Sequence, residues 1–256
     1  KLDTENNHSI PLNDKETSAF LDALNDFYRQ SDFRKFFDQH SDVYANGILS
    51  FYNSVVSHID PSWYSRFYGT QPNKDLHIVI GFASGGNYYR ATRTRQGGPE
   101  EIFSIMYYAV DNNGRPLYDK SAVGTITEEL CLSFIDIENN DVKTTLEKAC
   151  ENVHRYTREK PIAAVTDKSI MEESLAYASA IYYLIDNGSS KKSIRKAVDE
   201  GIERGFSWTP ELIKRIYYYT ENRKEFPTFA SFYPEIIEFF KDYTANLGKT
   251  ILKVLR

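Results

Sequence analysis

The sequence predicts an α+β protein that is mainly helical, with one small sheet in the middle of the chain. Three observations carry this. Apolar residues recur at helical spacing before residue 60 and again almost continuously from Thr125 onward. Between those regions lie three runs rich in β-branched and aromatic residues, at 76–82, 88–94 and 101–110. Turn-forming clusters punctuate them, Gln96-Gly97-Gly98-Pro99 after the second run and Asp111-Asn112-Asn113-Gly114 after the third.

Asn13 and Glu16 read as a capping box, opening a helix on which Phe20, Leu21, Leu24, Phe27 and Tyr28 recur at helical spacing. A second helix covers 43–59, with Ile48, Phe51, Tyr52, Val55 and Val56 on one side. It stops at Asp60-Pro61, because the residue before a proline avoids helical backbone angles. After the strands, residues 142–157 carry Leu146, Cys150 and Val153 on one stripe. Residues 170–185 carry Leu175, Ala178, Tyr182 and Ile185 and end at Asn187-Gly188, a good left-handed cap. Ser189 or Ser190 starts a helix that closes at Gly205. Thr209 caps the next, with Pro210 at its first position, and Pro234 begins a last long helix through Ile236, Ile237, Phe239 and Phe240. No repeat period or low-complexity linker is visible. Residues 111–120 are the best dividing point, giving an N-terminal helix-and-sheet lobe, 1–115, and a helical lobe, 116–256, expected to form one continuous domain.

Composition narrows the functional classes. At 256 residues the chain can bury a large core, and an aromatic share of 14%, with 19 Tyr and 16 Phe, favours an aromatic core or a stacking surface. The net charge of −5 supplies no basic field for nucleic acid, and the basic runs at 90–95 and 191–196 read as solvated faces. Two cysteines, Cys131 and Cys150, make no disulfide framework. They read as two thiols, though one bridge between neighbouring helices stays open. No stretch approaches 18 uninterrupted apolar residues, so no transmembrane helix is expected. The chain starts at Lys1, as a processed protein would, and shows no signal segment.

One pentapeptide on a predicted helix, Glu128-Glu129-Leu130-Cys131-Leu132, concentrates the chemistry. In a His-Glu-x-x-His helix two imidazoles one turn apart grip a single Zn²⁺, and the Glu between them activates the metal-bound water. Here Glu128 could offer an oxygen, Glu129 stands at the general-base position, and Leu132 offers only hydrocarbon. By itself the pentapeptide reads as an amphipathic helix with Leu130 and Leu132 partly in the core.

Its surroundings add to this. Asp60-Pro61-Ser62-Trp63-Tyr64 with Phe67-Tyr68-Gly69, Val79-Ile80-Gly81-Phe82 leading into Gly85-Gly86-Asn87-Tyr88, and Glu172-Glu173-Ser174-Leu175-Ala176-Tyr177-Ala178 follow in order. Arg204-Gly205-Phe206-Ser207-Trp208-Thr209-Pro210-Glu211-Leu212 and Phe226-Pro227-Thr228-Phe229 with Phe232-Tyr233-Pro234 complete the set. In their order and spacing these segments resemble a family of secreted bacterial proteins, classed as a domain of unknown function and regarded as zincin-like metallopeptidases of the Glu-zincin type. The resemblance runs from about Phe20 to Phe240.

That resemblance implies a zincin-like arrangement: a small mixed sheet, then the motif helix, then a C-terminal helical lobe. It implies that Glu128 and Leu132 replace the two histidines, that Glu129 is the general-base position and that Glu173 matches the third ligand. Ser133-Phe134 follows the motif as in the family, whereas Ile135-Asp136-Ile137-Glu138 departs from its Asn-Pro continuation. It also implies export, to the periplasm, the cell surface or beyond. Three carboxylates and a leucine suit zinc poorly, since zinc prefers nitrogen and sulfur, and they are too few for calcium or magnesium. The expectation is no cofactor and no bound zinc.

Other groups do not restore the site. His8, His40, His58, His77 and His154 form no i, i+4 pair, and only His154, four residues after Cys150, could share a helical face with a thiol. His40 and His58 read as helix-end residues. Gly81-Phe82-Ala83-Ser84-Gly85-Gly86 matches no phosphate-binding pattern, and no G-x-S-x-G elbow occurs. The leading expectation is therefore a non-catalytic metallopeptidase homologue that binds a peptide, protein or glycan in the former active-site cleft, with Tyr88 and Tyr177 as contacts. The alternatives are a metal-independent hydrolase using Glu129 and Glu173, with Tyr88, Tyr177 or Tyr183 as its platform, a zinc peptidase with a rebuilt metal site, or an envelope-associated interaction protein.

Overall fold

A computed structural model describes residues 13–82, 88–94, 97–107, 110, 112, 118, 120–137, 144 and 167–254. Among these residues the protein is mainly helical, with a small mixed sheet of three strands in the order β1-β3-β2. The helices are α1 (Asp14–Gln30), α2 (Phe33–Gln39), α3 (Ser41–Ser54), α4 (Pro61–Tyr68), α5 (Lys120–Leu132), α6 (Asp167–Asp186), α7 (Lys191–Glu203), α8 (Thr209–Glu221) and α9 (Tyr233–Val254). The strands are β1 (Lys74–Gly81), β2 (Tyr89–Arg93) and β3 (Glu100–Tyr107). The helix expected over 142–157, with Cys150 and His154, lies outside the described residues except for residue 144, as do His8 and the 83–87 glycine segment.

Two compact units result. One comprises Lys1–Ile59, His77–Arg93 and Ile102–Val123; the other comprises Asp60–Leu76, Thr94–Glu101 and Gly124–Arg256.

In the first unit α1 opens with the expected capping box. Asn13 Oδ1 accepts from the N–H of Glu16 at 3.0 Å, and Glu16 Oε2 accepts from the N–H of Asn13 at 2.9 Å. The apolar stripe of α1 does not enter a core: Phe20, Leu21, Leu24, Phe27 and Tyr28 are all exposed. Only Phe27 and Tyr28 touch α2, each 6.0 Å from the Phe33 ring. The helix expected over 43–59 ends early. Val55 leaves helical angles at φ −125°, and Val56–His58 forms a single 3-10 turn. α3 buries Phe51, its C-cap Val55 is buried, and Ile48, Leu49 and Tyr52 are in solvent, so the five residues expected on one side divide. His40 closes α2 as expected, its Nδ1 2.7 Å from the carbonyl oxygen of Phe36.

The second unit is built on aromatic packing. α4 is N-capped by Asp60 with Pro61 in its first turn, and it buries Trp63, Tyr64, Phe67 and Tyr68. Trp63 stacks on Phe67 at 4.5 Å and donates through Nε1 to Asp186 at 2.7 Å. Tyr68 stacks on Phe134 at 4.9 Å. Tyr219 donates to the Phe67 carbonyl at 2.6 Å and packs against Phe229 and Phe232. Rings of this kind bring large apolar area and preferred edge-to-face contacts, which is how the 14% aromatic share is used. α6 ends where expected, with Gly188 at φ +70°, and Ser190 caps α7 by accepting from the N–H of Ser193. Thr209 differs from expectation: Trp208 is the N-cap residue, and the Thr209 hydroxyl donates back to the Phe206 carbonyl at 2.6 Å.

Candidate functional site

The candidate residues of α5, α6 and the α7 terminus all lie in the second unit. α5 buries most of its last turns: Ile126, Thr127, Glu129 and Cys131 are each at most 1% exposed, Leu132 is buried with them, and Leu130 is half-buried. Its C-terminus is tied down, because the Ser133 carbonyl accepts the N–H groups of Asn73 and Lys74 at 3.0 and 3.2 Å. Ser133 Oγ in turn donates to the Leu130 carbonyl at 2.7 Å. These bonds satisfy carbonyls that a helix end leaves open and fix the rotation of the helix.

Arg204 is delivered by a second helix end. It is the C-cap residue of α7; Gly205 follows at φ +92°, its N–H bonding the Ile202 carbonyl while the Phe206 N–H bonds that of Gly201, both at 2.9 Å. This pair of bonds is a Schellman closure, and the left-handed residue it needs is a glycine. The closure turns Arg204 and Phe206 toward the same place. The Arg204 guanidinium carbon lies 4.4 Å from the Tyr177 ring centroid and 5.2 Å from that of Phe206.

Thus clamped, Arg204 meets Glu128 fork to fork. Nη1 donates to Oε2 at 2.9 Å and Nη2 to Oε1 at 2.7 Å. The Glu128 side chain is 12% exposed and that of Arg204 37%. Burial works against the guanidinium charge, but the Glu128 carboxylate outweighs it, with Glu173 adding, and holds Arg204 more firmly protonated than a free arginine. Tyr177 closes the group. Its hydroxyl donates to the Ala197 carbonyl at 2.8 Å, and burial, opposed by the Arg204 charge, pushes its phenol up to about 12. α7 comes this close because position 201 is glycine: a Cβ there would sit 2.7 Å from Tyr177 Cε1 and 2.9 Å from Thr209 Oγ1.

A second ion-paired cluster sits one residue away on α6. Lys74, only 9% exposed, has its Nζ 3.4 Å from Glu172 Oε2 and 3.7 Å from Glu100 Oε2. Glu172 therefore pairs with Lys74, while the charge of its neighbour Glu173 acts on Arg204.

Of the candidate residues, the structure brings Glu128 and Tyr177 onto Arg204, and the charge of Glu173 adds to its protonation. Glu129 is buried on the next face of α5, and Leu132 lies in the core. Tyr88 belongs to the first unit. Tyr183 is a core residue, stacked on Tyr64 at 5.4 Å and accepting the Asp60 N–H at 2.9 Å. Arg204 is the residue that reading motifs missed. An arginine at a helix C-terminus, followed by the glycine that closes the helix, was the available signal.

The donors do not fit a zinc ion. The Leu132 side chain has no donor atom, and both Glu128 oxygens are held by Arg204. Among the described residues no group of three His, Cys, Asp or Glu is arranged to hold a metal.

Compared with known proteins, residues 2–239 match the model of a family described as Domain of unknown function (DUF4932). No curated protein and no solved structure matches the chain.

Proposed function

The chain belongs to the DUF4932 family, and from the Glu128–Arg204 pair we propose that it is a non-catalytic relative of zincin-type metallopeptidases. It binds a peptide, protein or glycan at the surface where its catalytic relatives hold their substrate. The observation that carries this reading is the bidentate pair itself. A fixed guanidinium neutralises the carboxylate at the first ligand position, so Glu128 needs no metal to be stable where it is. Leu132 at the second ligand position points the same way. Glu129 survives at the general-base position as a buried carboxylate, which disfavours the metal-independent hydrolase: an acid–base pair must reach solvent-borne substrate, and Glu129 is 1% exposed. Export to the cell surface or periplasm belongs to the same proposal. Among the described residues no helix is long and apolar enough to cross a membrane.

Arrays of peptides and oligosaccharides, read for both retention and cleavage, test it. The proposal expects a ligand retained equally in zinc and in chelator, uncleaved, with its affinity unchanged by Glu129→Gln. Zinc-dependent cleavage that disappears in Glu129→Gln overturns it.

A further inference from the structure

α1 is an amphipathic helix whose apolar face stays exposed, although Phe27 and Tyr28 at its end meet the Phe33 ring of α2. At 100° per residue, Phe20, Leu21, Leu24, Phe27 and Tyr28 fall within an arc of about 120°. All five are between 41% and 56% exposed. The helices that follow repeat the pattern: Phe36 and Phe37 on α2 and the outer face of α3 are also exposed. Large apolar side chains in solvent are unremarkable singly, but five on one face of a single helix mark an interaction surface. Its aromatic content is that of interface anchors.

Charge selects the occupant. Residues 13–54 contain seven acidic side chains and four basic ones. Two pairs neutralise each other locally, Arg29 with Asp26 at 2.9 Å and Arg34 with Asp38 at 3.0 Å, which leaves an excess of acid. A second copy would set two acidic helical arms against each other. A membrane-surface helix would carry mainly lysine and arginine on its polar face, where α1 sets Asp22 and Asp26 beside Lys15 and Arg29. An apolar stripe in an acidic setting instead suits a partner with the opposite pattern. We propose that the exposed stripe of α1 is the docking surface for a basic amphipathic helix of a partner protein, a surface separate from the Glu128–Arg204 site.

The probe is a labelled leucine/lysine amphipathic peptide of about 17 residues, the length of α1, with a leucine/glutamate peptide of the same pattern as control. The full chain is expected to bind the lysine peptide, more weakly as salt rises, and to ignore the glutamate peptide. The charge-neutral variant Phe20→Ser, Leu24→Ser, Phe27→Ser should lose roughly tenfold or more of that affinity. These positions are exposed, so circular dichroism and melting of the rest of the chain should not change. Equal binding of both peptides, or an affinity the triple variant leaves intact, overturns the proposal. So does a concentration-dependent dimer, or flotation with phosphatidylcholine vesicles, that the same variant abolishes, since either assigns the stripe to a different occupant.

Discussion

Arg204 gives both of its terminal nitrogens to the two carboxylate oxygens of Glu128, at 2.9 and 2.7 Å. The pair joins α5 to the end of α7, and the Tyr177 and Phe206 rings hold the guanidinium in place. It is partly buried, so cutting one partner leaves the other desolvated and unmatched. A double-mutant cycle with Glu128→Gln and Arg204→Met is expected to show a coupling of about 1–2 kcal/mol, below the fully buried range because Arg204 keeps contact with water. Chemical denaturation of the four proteins measures it; a coupling near zero means the pair does not hold α5 to α7.

Gly201→Ala attacks the same arrangement from behind. The added methyl meets a Tyr177 ring that is pinned by Arg204 on its face and by the Ala197 carbonyl at its hydroxyl, so it cannot swing aside freely. A loss of about 1–3 kcal/mol is expected, with a change in near-ultraviolet circular dichroism as the Tyr177–Phe206 environment shifts. An alanine variant as stable as the parent contradicts the close packing of α7 on Tyr177.

Cys131 and Tyr177 set an alkaline limit. Burial pushes the Cys131 thiol well above its ordinary 9.0, the Glu128 charge adding to it, and pushes the Tyr177 phenol from 10.0 up to about 12. Both groups are therefore favoured in their neutral forms by the fold. Their contribution is whole below the unfolded values and is lost as pH rises from about 9 through the folded ones. Urea unfolding is expected to show lower stability at pH 10.5 than at pH 8. In a Cys150→Ser background, Cys131 should resist thiol reagents at pH 9 until the chain is denatured. Rapid native labelling at that pH contradicts the burial of the thiol.

How much of this was legible in the sequence differs by element. The α1 capping box, the three strands, the Gly188 cap and the proline-led start of α8 follow from short-range rules, and all are found within a few residues of where those rules put them. The burial of α1 did not follow. Periodicity shows that a helix has an apolar face, not that anything covers it, and the Phe20–Tyr28 stripe is in solvent. α4 was missed because it is only eight residues long, half of them aromatic, and helical periodicity over so short a span is weak. At the site, Glu128, Glu173 and Tyr177 were visible as types at positions. Arg204, the partner of Glu128 and Tyr177 and 76 residues along the chain from Glu128, was not. A long-range ion pair leaves no local pattern; only the Arg-Gly step at the end of α7 hinted at it.

The zinc content of the purified protein is the most direct measurement. The chain is expressed in zinc-supplemented medium, exchanged into metal-free buffer and analysed by elemental mass spectrometry, with Arg204→Met alongside. With Leu132 supplying no ligand and Arg204 holding both oxygens of Glu128, the expected result is well under one zinc per chain in the parent. One tightly held zinc per chain, surviving the exchange and released only by a strong chelator, would contradict it.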